Sequence, residues 1–150
     1  MNISTVVGKG DTSFEQIYVA GENLTGASSV PGEALCWSVT ASDGRSFLDP
    51  VVVGDTNNFN MFAGIVQDTL GTSSYGVLRR YGLATVLVSG GATIVPGAHL
   101  GLISGTPVLA ITTAGLWAGT MLTAQVPRVT CLGTVTAGQG LIGVKGFVQF

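Results

Sequence analysis

The stretch Tyr75-Gly76-Val77-Leu78-Arg79-Arg80-Tyr81-Gly82-Leu83-Ala84-Thr85-Val86-Leu87-Val88 decides the fold class. Tyr75, Val77, Arg79 and Tyr81 alternate with Gly76, Leu78 and Arg80, and Leu83, Thr85 and Leu87 alternate with Ala84, Val86 and Val88. A period of two in runs rich in Val, Thr, Leu and Tyr, bounded by glycine, is the signature of a strand, because successive side chains of extended backbone point to opposite faces. The same period governs the flanks. Leu35, Trp37 and Val39 alternate with Ala34, Cys36 and Ser38, and further strands are expected near 51–53, 62–67, 98–103, 107–111, 121–126, 129–135 and 141–150. Turn signals recur every eight to twelve residues, roughly the spacing of sandwiches and barrels. The expectation is an all-β fold, a compact antiparallel β-sandwich or β-barrel. Residues 26–150 read as one β-domain, and residues 1–25 as a flexible N-terminal arm or first strand, loosened by Gly8, Gly10, Gly21 and Gly26. Thr12-Ser13-Phe14-Glu15 fits a capping box for one helical turn, although Ile17-Tyr18-Val19 suits a strand equally well.

Working outward from this stretch, the chain is nearly free of charge. From Tyr81 through Pro127 there is no Lys, Arg, Asp or Glu, and His99 is the only side chain there able to charge near neutral pH. A membrane helix is nevertheless excluded from the reading, since Pro96, Pro107 and repeated glycines interrupt every 20-residue apolar window. Over the whole chain only 9% of residues are charged, against roughly 25% in average usage, and mean hydropathy is +0.53. Such a domain normally carries more charge to remain soluble alone. An obligate assembly is therefore expected, with apolar surface covered by copies or by a partner.

The charges that exist are unevenly spread. Residues 1–68 hold all eight acids and only Lys9 and Arg45, while residues 69–150 hold Arg79, Arg80, Arg128 and Lys145 and no acid. This suits complementary charge within one fold or head-to-tail attraction between subunits. Four scattered bases make no nucleic-acid footprint, and Arg79 and Arg80 fall on opposite faces if they lie on a strand. Cys36 and Cys131 stand far apart and read as small buried apolar residues. The first residues show no basic leader before an apolar core, so the glycosylation sequons Asn2-Ile3-Ser4 and Asn23-Leu24-Thr25 carry little weight.

An internal echo suggests a duplicated β-unit. Val30-Pro31-Gly32-Glu33-Ala34-Leu35 recurs 65 residues later as Val95-Pro96-Gly97-Ala98-His99-Leu100. In each, Pro-Gly fits the centre of a type II turn, with glycine at positive φ, and an apolar strand follows. Chance similarity between two turn-then-strand units is the alternative.

Phe62-Ala63-Gly64-Ile65-Val66, then 75–86, then Gly90-Gly91-Ala92-Thr93-Ile94-Val95-Pro96-Gly97-Ala98-His99-Leu100-Gly101, resemble the head decoration, or capsid cement, proteins of tailed bacteriophages. Gly32-Glu33-Ala34-Leu35-Cys36-Trp37-Ser38-Val39 resembles that family's early strand. The resemblance spans about residues 30–145 and rests on glycine placement and strand pattern. It implies a small β-domain on the outside of an icosahedral head, as a homotrimer that clamps neighbouring copies of the major capsid protein. It transfers no ligand residues.

Motifs that could carry chemistry are weak. Gly138-Gln139-Gly140-Leu141-Ile142-Gly143 matches G-x-G-x-x-G, but the residues from Val144 to Phe150 fit neither the helix nor the distal acid a dinucleotide site requires, and a β-turn is expected. His99 lacks metal partners at any recognisable spacing, and no G-x-S-x-G elbow surrounds Ser73 or Ser74. Asp55-Thr56-Asn57-Asn58-Phe59-Asn60 departs from the EF-hand pattern. Asp43, Asp49 and Asp55 lie in turn-like segments with nothing to raise a carboxylate pKa. Trp37 and Trp117 suggest a sugar platform, or core and interface fillers.

The sequence thus points to a virion protein that binds rather than catalyses, on the capsid exterior, with no cofactor, metal, nucleic acid or membrane. Expected contact residues are Ile17, Tyr18, Arg79, Arg80 and Trp117. The alternative readings are a tail or baseplate accessory, a glycan-binding surface module, and a small hydrolase centred on His99.

Overall fold

A computed structural model describes residues 4–6, 16–38, 50–52, 61–103, 105–111 and 129–149. Among these there is no helix. Ten strands form one continuous sheet: β1 (Ser4–Val6), β2 (Gln16–Asn23), β3 (Ala34–Trp37), β4 (Pro50–Val52), β5 (Phe62–Val66), β6 (Tyr75–Ser89), β7 (His99–Leu102), β8 (Leu109–Ile111), β9 (Val129–Cys131) and β10 (Leu141–Val148). The fold is all-β, as the period of two requires. The helical turn at Thr12–Glu15 and the strand at 121–126 lie outside the described residues.

The two runs read at 75–81 and 83–88 are one strand of 15 residues. Gly82, at φ +105°, sits at their junction and lets the strand pass through without a break. This length organises the molecule. The first half of β6 pairs antiparallel with β2 and β5, and its second half pairs antiparallel with β10 and, at Val88–Leu109, parallel with β8. Two closed circuits of pairing result, each of five strands and both sharing β6. One runs β2-β4-β3-β5-β6 and the other β6-β10-β9-β7-β8.

The circuits have the same wiring. In each, the first strand pairs parallel with the third (β2–β4, β6–β8), while the second pairs antiparallel with the third and the fourth (β3 with β4 and β5, β7 with β8 and β9). In each the fourth pairs with the fifth, which returns to the first (β5–β6–β2, β9–β10–β6). The echo at Val30 and Val95 is therefore part of a full duplication. Both turns are closed by the expected bond, Glu33 N–H to Val30 O at 3.2 Å and Ala98 N–H to Val95 O at 3.1 Å, with Gly32 and Gly97 at φ +95° and +89°. Backbone bonds elsewhere repeat at the same offset. Gly32 donates to Val66 O as Gly97 donates to Cys131 O, and Val66 donates to Glu33 O as Cys131 donates to Ala98 O.

Each circuit has its own core. Val19, Leu35, Trp37, Val51, Ala63, Val66, Leu70 and Leu78 fill the first. Val86, Val88, Ile94, Leu100, Leu102, Leu109, Val129, Cys131, Val135, Val144 and Val148 fill the second. The face of the first circuit that carries Ala34, Cys36, Phe62 and Ile65 packs against this second core. Hence β3 and β5 are buried on both sides, which explains why Ala34–Trp37 and Phe62–Val66 are buried at every position. In β5 the alternation is reset by a bulge: Leu35 opposes Gly64, but Cys36 opposes Phe62. Gly64, at φ +152°, permits it, because a Cβ there would stand 2.7 Å from Arg79 O. Phe62 and Ile65 consequently share one side, and Ala63 and Val66 the other.

The remaining sequence features resolve as structure. Cys36 and Cys131 are both buried, with no disulfide between them. Trp37 is 1% exposed and belongs to the core. The Gly138-Gln139-Gly140 segment is a turn, with Gln139 N–H to Thr136 O at 3.3 Å, and it leads into a strand rather than a helix. Asn23 is fully buried, and its amide is held by Ala27 O and Leu70 O while its Oδ1 accepts from Thr25 N–H and Oγ1–H. The second sequon is thus an Asx-type turn in the core.

Candidate contact surface

Four of the five residues singled out for contact fall on two paired strands. Ile17 and Tyr18 lie on β2 and Arg79 and Arg80 on β6; all four are partly buried. Trp117 and the Asp55–Asn60 segment lie outside the described residues. The ladder sets Tyr18 opposite Arg79, just past a register shift at Ile17/Tyr18. Tyr18 Oη donates to Gln16 Oε1 at 2.5 Å and accepts from Arg79 Nη2 at 2.5 Å, and the guanidinium carbon stands 4.9 Å from the Tyr18 ring centroid. Arg79 Nε is buried with no hydrogen-bond partner. The Arg79 charge is therefore committed largely to Tyr18 within the chain, by charge-assisted hydrogen bonding and by the ring's negative face.

Part of the exposed surface is apolar. Among the described residues the large hydrophobic side chains left exposed are Val30, Tyr75, Val77, Val95, Leu132 and Leu141. Tyr75 and Val77 project from the same face of β6 and are 59% and 48% exposed, and the ladder places exposed Ala20 of β2 beside Val77. Several members occupy equivalent places in the two circuits. Val30 and Val95 precede the two Pro-Gly turns, and Tyr75 and Leu141 open β6 and β10. Isolated exposed apolar residues are ordinary, and most of these lie at strand ends or turns.

The sequence reading did not single out Tyr75, Val77 or Val95, which the structure leaves exposed. Alternation says that odd and even positions of β6 face apart, but not which of two apolar faces a neighbour covers. The repeated Val before Pro-Gly was the available signal. His99 is exposed on β7, and no group of three or more His, Cys, Asp or Glu residues able to hold a metal occurs among the described residues. No helix among them is long and apolar enough to cross a membrane.

No family model and no curated protein matches this chain in sequence. In three dimensions it is similar to the head fibre gp8.5 N base of bacteriophage phi29, with a TM-score of 0.50 and 9% sequence identity. The similarity covers 89% of this chain and 93% of the other. At that identity the likeness is one of fold, and it extends over nearly the whole β-structure.

Proposed function

We propose that this chain is a structural virion protein of a bacteriophage. In this reading it binds the outer surface of the head as a decoration, or cement, protein. The observation that carries it is the agreement of fold, over 89% of the chain, with the base of a protein whose own description places it on a phage head. The apolar, weakly charged surface supports the same reading. A cement protein acts by burying surface against the major capsid protein and its own copies, and it needs edges and apolar patches rather than a cleft lined with titratable groups. Each bound copy adds contact area that must be lost before capsomers separate. The protein acts as a homo-oligomer, a trimer, and without catalysis.

The test is to prepare heads with and without this chain and compare the temperature at which they release DNA. Cement activity raises that temperature, and re-addition of the purified chain restores it. Equal release temperatures would overturn the cement role. The glycan-binding alternative has lost one of its two tryptophans, since Trp37 lies in the core.

A further inference from the structure

One row of residues occurs on the outside of both circuits, and its charge differs between them. In the first circuit Ala20 pairs with Val77, and Gln67 N–H donates to Val77 O at 3.3 Å. In the second Thr85 pairs with Lys145, and Leu132 N–H donates to Lys145 O at 2.8 Å. Ala20 and Gln67 stand 65 residues before Thr85 and Leu132, so the same row is used twice. Ala20, Thr85 and Lys145 are exposed, and Val77 and Leu132 are 48% and 46% exposed. The row is therefore centred on an apolar side chain in one circuit and on a cation in the other. Asp68, which is exposed, follows Gln67 where the second circuit has Gly133 after Leu132. Two residues before the centre on the same strand stand exposed Tyr75 in the first row and exposed Gly143 in the second, so the two faces differ in relief as well.

Asp68 and Lys145 are also the charges that the chain leaves uncommitted. Among the described residues Glu22 is buried, Glu33 Oε2 accepts from Val30 N–H, and Arg79 donates to Tyr18. Arg80 and His99 have contacts of their own. Neither the Asp68 carboxylate nor the Lys145 ammonium takes part in a hydrogen bond or ion pair among these residues. Lys145 has no carboxylate to meet within its own circuit, because residues 69–150 carry no Asp or Glu.

We infer that a second copy of this chain docks here, the Lys145 row of one copy lying on the Val77 row of the next with its ammonium against the Asp68 carboxylate. The two faces differ, so the contact is heterologous, and it closes into a ring or propagates according to the rotation between copies. An exposed ion pair adds little affinity by itself. Its part is to select which faces meet and in what register, while Val77 and Leu132 supply apolar area to bury. A second copy is the occupant because the carboxylate that matches Lys145 is carried by this chain, at the end of the twin row. This contact rests on the oligomeric part of the proposed function and names the surface through which that oligomer forms.

The experiment is sedimentation velocity of the full chain over a dilution series at low salt. It compares wild type, Asp68→Lys, Lys145→Glu, the double variant D68K/K145E and the control Ala92→Glu, each checked for an unchanged circular dichroism spectrum and melting temperature. Wild type and A92E are expected to share one oligomeric state. D68K and K145E each set like charges against one another in every contact, and their dissociation constants should rise at least about tenfold. D68K/K145E exchanges the two charges and keeps them opposite, so it should recover the wild-type state. If the single variants keep the wild-type state, or the double variant is as dissociated as they are, the inference falls while the cement reading stands on the head-release assay. A monomeric wild type at every concentration would remove both this contact and the proposed oligomer.

Discussion

Ser29 and Leu70 exchange both of their backbone hydrogen bonds at 2.8 Å, and Ile94 and Val135, 65 residues further on, exchange the same pair at 2.9 Å. Neither pair lies in a named strand. Irregular bridges are the part of a fold least constrained by alternation, so their recurrence at one offset ties the two circuits together more firmly than their similar strands do. The molecule is one five-strand design used twice, with β6 serving as the last strand of the first use and the first strand of the second.

Gly64 tests the bulge that sends β5 into two cores. Gly64→Ala forces a Cβ to 2.7 Å from a backbone oxygen at φ +152°, and overpacking of this kind costs about 1–3 kcal/mol with backbone strain added. Gly138→Ala, at φ +87° with nothing within 4 Å, carries strain alone and should cost about 1 kcal/mol. Urea denaturation midpoints should rank wild type, then G138A, then G64A.

Asn23 is expected to be structural. Asn23→Ala removes the acceptor of the half-buried Thr25 N–H and one of the two donors to Leu70 O, and should destabilise by about 1–3 kcal/mol. Asn23→Asp turns an amide that donates to Ala27 O and Leu70 O into a carboxylate facing them, and should be the worse of the two in thermal melts. Expression in a glycosylating host should leave Asn23 of the folded protein unmodified, as read by peptide mass.

Tyr18 and Arg79 should be energetically coupled. Tyr18→Phe removes one acceptor and one donor, and Arg79→Met removes the charge. A double-mutant cycle in urea is expected to give a coupling of about 1 kcal/mol, appropriate to a half-buried charge-assisted pair. A coupling indistinguishable from zero would mean the two side chains do not meet in solution.

The thiols supply a fourth prediction. Cys36 and Cys131 are unbridged thiols buried within the second core, so an aromatic disulfide reagent should titrate neither in the native protein and both after denaturation. Reductant should leave the melting temperature unchanged.

The all-β class, the Pro-Gly turns at 31–32 and 96–97 and the turn at 138–140 were legible from residues alone, whereas the echo at Val30 and Val95 left a repeat and chance similarity both open until the strand pairing showed the repeat. The class and the turns are local consequences of a two-residue period and of glycine's access to positive φ, and they survive any tertiary arrangement. That 75–89 is one strand shared by two circuits, that β3 and β5 are buried on both faces, and that Arg79 bonds Tyr18 became visible once the chain was folded. Pairing partners are chosen by contacts between residues far apart in the chain, and alternation marks two faces without saying what will cover either.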